Sequence, residues 1–102
     1  MRLARVKGNV VSSAKVAGLM SYKLLFVQDV DPAAPSGNDG KAAGDVYIAV
    51  DLAGAGDGEI VMVTHGSAAR VDGAAQGTPT DAAVVGIVDI VNFNGQITYV
   101  KR

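Results

Sequence analysis

The chain has 102 residues, enough for one hydrophobic core and too few for a second domain. Hydrophobic residues make up 49% and charged residues 19%, with nine Lys and Arg against ten Asp and Glu for a net charge of −1. With no cysteine the chain has no disulfide framework, thiolate nucleophile or Cys-ligated metal. Three Tyr, two Phe and no basic run leave little for a nucleic-acid binder, which needs cations for phosphates and rings for bases.

The charged share lies below the usual value of about 25%. A small domain has much surface for its volume, so a surface this poor in charge either relies on Ala and Gly or is covered by another subunit. The second reading is preferred. The segment Met1-Arg2-Leu3-Ala4-Arg5 lacks the apolar centre of a signal peptide, and no apolar run is long enough to cross a bilayer, so a soluble, cytosolic protein is expected.

Leu3 to Val11 alternates, with Ala4, Val6, Gly8 and Val10 on one face and Arg5, Lys7 and Asn9 on the other, which predicts a half-buried strand. A polar connection containing Lys15 and Gly18 follows. Tyr22 to Val30 reads as a second strand, apolar on both faces (Leu24, Phe26 and Val30; Leu25 and Val27), as in a central strand or one facing a neighbouring subunit. Asp31 to Gly44 holds two prolines and three glycines and reads as a long exposed loop.

Val46–Asp51 and Glu59–Thr64 read as two strands of a hairpin around a glycine-rich turn, Ala53–Gly58, in which Gly54, Gly56 and Gly58 serve conformations closed to residues with a Cβ. Ser67 is placed to cap a short helix beginning at Ala68. Val71 to Thr80 is a second flexible connection. Ala82 to Val91 is the most apolar strand, and Gly86 within it marks a bend or the close approach of another backbone. In Val91 to Val100, Asn94-Gly95 sits between two alternating arms, the strongest short hairpin signal. Lys101-Arg102 is a short basic tail. About six strands, one brief helix and regularly spaced turns predict an all-β small antiparallel barrel or sandwich.

The chemically active residues are sparse. His65 is the only histidine, and without Cys or a carboxylate at ligand spacing a surface or subunit-contact role is favoured over a metal site. Gly54 to Gly58 lead into a strand rather than a long helix, so a turn is favoured over a phosphate cradle. Gly66-Ser67-Ala68-Ala69-Arg70 could hold an anion at a helix N-terminus, but a capped turn packed closely against a symmetry mate is preferred. Asp81, after Pro79-Thr80, reads as a turn residue with no paired carboxylate.

In this order the segments resemble a family, the pentameric vertex proteins of bacterial microcompartment shells, named after the ethanolamine-utilisation N protein and the carboxysome L protein. The matching pieces are Leu3–Val11, Lys15 with Lys23–Gln28, Ala49–Gly56, Val61–Arg70 and Thr80–Asp89. The Pro/Gly-rich loop at 31–44 and the extension after Asp89 depart from the shorter members. The resemblance implies an OB-like five-stranded barrel with one short helix and a C-terminal hairpin or strand extension (core 1–91, extension 92–102), assembled as a homopentamer among hexameric tiles in the bacterial cytoplasm. It implies a non-enzymatic structural role without cofactor, nucleic acid or membrane. It places Gly66, Ser67 and Ala68 near the five-fold axis, and Arg70, Asp81 and Gly86 in the core or the subunit interface. The competing reading is an OB-type module binding single-stranded nucleic acid.

Overall fold

A computed structural model describes residues 1–12, 22–35, 44–66 and 81–102. They form seven strands: β1 (Arg2–Val10), β2 (Lys23–Asp29), β3 (Val46–Asp51), β4 (Ile60–His65), β5 (Ala82–Ile87), β6 (Ile90–Phe93) and β7 (Gln96–Val100). The first five close into a barrel in the order β1-β2-β3-β5-β4, and β6 and β7 form a separate two-stranded sheet. All barrel pairs are antiparallel except β3 with β5, so the expected antiparallel barrel has one parallel seam. The described residues contain no α-helix, Gly66 at their edge has 3-10 conformation, and the helix expected from Ala68 lies outside them.

The inward rows are small and branched: Ala4, Val6, Leu25, Val27, Ala49, Val61, Val63, Ala82 and Val84. Five strands enclose a narrow interior, which valine and alanine fill without strain. Each fully buried valine contributes about 1.5–3 kcal/mol of transfer free energy. The period-two pattern of β1 is observed as read, with Ala4 and Val6 buried. A register shift between Val6 and Gly8 bends the strand around the barrel.

The central hairpin does not form. β3 pairs with β2 and β5, and β4 with β1 and β5, so β5 lies between the two strands expected to pair. The reason lies in residues 52–59. The buried carboxylate of Asp51 accepts hydrogen bonds from the amides of Ala53 (3.0 Å) and Gly54 (2.9 Å) on one oxygen and Ala55 (3.0 Å) on the other. The Lys23 ammonium donates to the Ala55 carbonyl (3.0 Å) and stands 3.8 Å from Asp51. These bonds turn the chain over the end of the barrel. Ala55 is fully buried in the core cluster, and the amide of Gly58 reaches the carbonyl of Val6 (2.9 Å), handing β4 to β1. Gly54 and Gly58 both have φ +83°, while Gly56 keeps an ordinary φ and donates its N–H to Glu59 (2.7 Å).

Two further expectations change. Pro35, in the loop read as exposed, is fully buried, and its carbonyl accepts from Arg5 (2.8 Å). The apolar run 82–91 divides after Ile87 into β5 and β6. Beyond it, β6 and β7 pair with each other through Asn94 (φ 56°) and Gly95 (φ 76°), the two positive φ values of a type I′ turn. The tail therefore folds on its own subunit. Val91 and Tyr99 pack beside Ile60, Val88, Leu3 and Val30 in a second small core. Lys101 bonds the Asp89 carbonyl through its amide (2.8 Å) and pairs with Glu59 through its ammonium (2.8 Å).

Replacing Asp51 with Ala should lower the stability of the subunit by about 2–4 kcal/mol, because several backbone donors lose a charged acceptor at once. Asp51→Asn, which keeps one acceptor oxygen, should fall between. Urea denaturation checks this, and an unchanged midpoint for Asp51→Ala would mean that the turn is held by other contacts.

The Lys101 ammonium, and then the Gly56 amide, hold the Glu59 carboxyl below its ordinary value of 4.5, and Glu59 raises Lys101 above 10.5. A depressed carboxyl stabilises the fold above its ordinary pKa and loses that contribution as pH falls through the folded value. The raised ammonium contributes below 10.5 and loses its share only in stronger base. In an NMR titration Glu59 should therefore have its midpoint below 4.5, with the Lys101 and Tyr99 amides moving in step. Glu59→Gln should abolish that step, and a midpoint at or above the ordinary value would contradict the tether.

Candidate functional site

The parallel seam is short. β3 pairs with β5 only at Val50 with Ala83 and Asp51 with Val84, leaving Val46 to Ala49 without a ladder partner on that side. The strands part there, and a cleft of about 770 Å³ opens against the ends of β4 and β1. Its walls carry Phe26, Val46 and Ile48, and its polar groups are Arg2, Asp29, Asp45, Tyr47, His65 and Asp81.

Three of these polar groups form a chain. Arg2 donates to one oxygen of Asp29 (2.8 Å), and the Tyr47 hydroxyl donates to the other (2.7 Å). Burial, followed by the bond to Asp29, raises the Tyr47 hydroxyl well above its usual range, so it remains a donor. The His65 ring lies 5.3 Å from the Tyr47 ring, tilted by 52°, and its buried Nδ1 has no hydrogen-bond partner. Among the described residues no carboxylate bonds that nitrogen, the contact that would orient the ring of an acid–base histidine. Among the described residues no group of three or more His, Asp or Glu side chains is placed to hold a metal ion.

The expected site residues are spread over two places. Gly66, at φ +67°, follows β4, and its amide donates to the carbonyl of Asp81 (2.9 Å), so these two meet at the mouth of the cleft beside His65. Ser67, Ala68 and Arg70 lie outside the described residues. Gly86 sits elsewhere, opposite Met62 on the β4–β5 pair. Of the bend or close backbone approach read there, the register shift beside Gly86 matches the bend, and the close neighbour is a side chain, the methyl of Met62, which occupies the space a Cβ would take. Met62 is partly exposed over a shallower apolar groove of about 480 Å³ that includes Leu3, Ile87 and Ile90.

Sequence reasoning missed Asp51 as the organiser of the turn, although an Asp directly before Leu-Ala-Gly is an Asx-turn pattern. The cluster of Arg2, Asp29, Tyr47 and His65 had no local signal, since its members come from four different strands.

Gly86→Val should cost the subunit only the lower end of about 1–3 kcal/mol, because a flexible methionine can swing away. Thermal melts should show the loss largely relieved by adding Met62→Ala. A full, unrelieved penalty would place the clash in the backbone.

Residues 1–89 match the family model described as ethanolamine utilisation protein EutN/carboxysome. The chain is 41% identical over 102 residues to the carboxysome shell vertex protein CcmL of Synechococcus elongatus, covering 100% of this chain and 97% of the relative. It is 39% identical over 101 residues to the bacterial microcompartment shell vertex protein EutN of Escherichia coli K12, covering 99% and 100% of the two chains. The solved GrpN pentameric microcompartment shell protein of Rhodospirillum rubrum superposes with a TM-score of 0.72 at 41% identity, covering 91% of this chain and 98% of that one. Matched along almost its whole length in both sequence and fold, the chain belongs to the EutN/CcmL family.

Proposed function

We propose that this chain is a structural protein, the pentameric vertex cap of a bacterial microcompartment shell. The observation that carries the reading is the end-to-end match to relatives named as shell vertex proteins, with neither chain leaving a domain unmatched. The fold supports it. Apolar side chains such as Phe26, Ile48 and Met62 are exposed on the outside of this barrel, as on a surface that other subunits cover.

The mechanism is geometric. A head-to-tail contact that closes after five copies makes a five-fold unit. Set among hexameric tiles, that unit supplies the curvature that closes a polyhedron and fills its corner. Gly66, with Ser67 and Ala68 after it in sequence, is assigned to the five-fold axis, and Asp81, Gly86 and Arg70 to the subunit contact or the core. No catalytic step is assigned. Arg2, Asp29 and Tyr47 bind one another, and the buried Nδ1 of His65 has no partner among the described residues. Binding of single-stranded nucleic acid is disfavoured because Arg2, Lys23 and Lys101 are each engaged in ion pairs and exposed aromatics are few. The protein belongs, on this reading, to a shell inside the bacterial cytoplasm.

Native mass spectrometry at low micromolar concentration should show a dominant five-subunit species, and a clean monomer or dimer would overturn the reading. Ser67→Glu brings five like charges to the axis, so the ring should loosen in low salt and recover as salt screens them. A pentamer indifferent to that change would place Ser67 away from the axis.

A further inference from the structure

Asn94 and Gly95 form the tip of the C-terminal hairpin, and both are exposed. Their φ values, 56° and 76°, make the two-residue turn that sets Phe93 opposite Gln96. Among the described residues nothing bonds the side-chain amide of Asn94 or the N–H of Gly95. The contacts that hold the hairpin down lie toward its base, where Val91 and Tyr99 pack beside Ile60 and Val88 and Lys101 pairs with Glu59. A register shift after Val91 leaves Thr98 as the extra residue of β7, and Ile97 joins Ile90 and Val100 on the outer face, where it is 62% exposed. A two-stranded sheet separate from the barrel opens most readily at such a tip.

An asparagine side chain is an electrophile, a carbonyl carbon carrying an amide leaving group. The backbone nitrogen of the following residue can reach it by closing a five-membered ring. Glycine in that following position has no Cβ to screen the nitrogen or to restrict rotation. The sequence has four asparagines, Asn9, Asn38, Asn92 and Asn94, and only Asn94 precedes a glycine. Asn38, outside the described residues, precedes Asp39. Asn9 and Asn92 precede Val10 and Phe93, and both stand in paired strands.

We infer that Asn94 is a site of spontaneous covalent modification, cyclising onto Gly95 and reopening as isoaspartate or aspartate. The Gly95 nitrogen gives up its proton to base and bonds to Cγ of Asn94, and the side-chain nitrogen leaves as ammonia. Water then adds to one carbonyl of the cyclic imide and breaks that carbonyl's bond to the ring nitrogen. Opening at the backbone carbonyl sends the chain through the side-chain carbons, as isoaspartate, and opening at Cγ gives aspartate. Water is the only co-reactant consumed. The type I′ turn does not itself bring the nitrogen onto Cγ, so the reaction passes through local opening of the tip. The two products differ in their effect. Aspartate before glycine still suits the turn and adds one negative charge. Isoaspartate lengthens the backbone by one carbon, which a two-residue loop cannot absorb, so the Phe93–Gln96 rung is lost while the base of the hairpin stays anchored.

The test uses the full chain, held folded in warm, mildly alkaline buffer and then mapped by peptide mass spectrometry. The peptide containing Asn94 should gain the mass of an amide converted to an acid and split into two chromatographic forms, with Asn9 and Asn92 intact. Asn94→Gly, which keeps a Gly-Gly turn without the reactive amide, should show no such change. In NMR spectra of the aged protein the Phe93, Gln96 and Ile97 amides should move, with those of Tyr99 and Lys101 in place. An Asn94 that survives as long as Asn9 and Asn92 would overturn the site. So would conversion that occurs in urea and not in native buffer, since the folded tip would then protect the pair it exposes.

Discussion

The structure depends on the insertion of β5 between β3 and β4. A sheet of five strands avoids exposed edges only by closing, and here closure requires a strand made late in the chain to pair with one made much earlier. That pairing is parallel and lasts two residues, the weakest seam in the barrel. Its consequences run in both directions. At one end, residues 52–59 must cross the barrel mouth so that β4 can reach β1, which Asp51 and buried Ala55 accomplish. At the other end the unpaired length of β3 opens the cleft.

Arg2, Asp29 and Tyr47 act as a repair to that opening. Both oxygens of Asp29 are occupied, by Arg2 from β1 and Tyr47 from β3. These bonds tie three adjacent strands where the ladder to β5 gives out. The raised Tyr47 hydroxyl follows from the same arrangement: a phenol partly withdrawn from water and bonded to a carboxylate keeps its proton. A donor locked to an internal acceptor has little left for a substrate.

How much of this was legible follows from the range of each signal. Strand identity is carried by alternation within a few residues, so Val46–Asp51 is found as read and β1 buries the expected face. Asn94-Gly95 defines its own turn and needs no distant partner. The expected pairing of β3 with β4 failed because glycines announce that a chain turns without saying where it goes. The strand that intervenes, β5, lies beyond residue 80. Gly86 shows the same limit: the register shifts beside it, as a glycine within a strand suggests, but that it faces Met62 depends on a ladder that local sequence does not reveal. Phe26 is instructive in the other direction. Apolar residues on both faces of β2 suggested a central strand or one facing a neighbouring subunit, and the barrel leaves Phe26 exposed on its outer face.

The low charge of the chain and the apolar outer surface are one property seen at two levels. A closed barrel can bury only what points inward, and in β2 and β3 the outward residues include Phe26, Val46 and Ile48, where a solitary domain would carry Lys or Glu. The C-terminal hairpin repeats the pattern. Its inner face and the Glu59–Lys101 pair hold it to its own barrel, while a single bulge at Thr98 places a third apolar side chain on its outer face. Within the subunit that bulge turns the Thr98 hydroxyl to the carbonyl of Pro32 (2.7 Å). It also leaves, on an arm tethered at its base, an apolar outer face of the same chemistry as the outward residues of β2 and β3, so the shortage of surface charge extends over barrel and hairpin alike.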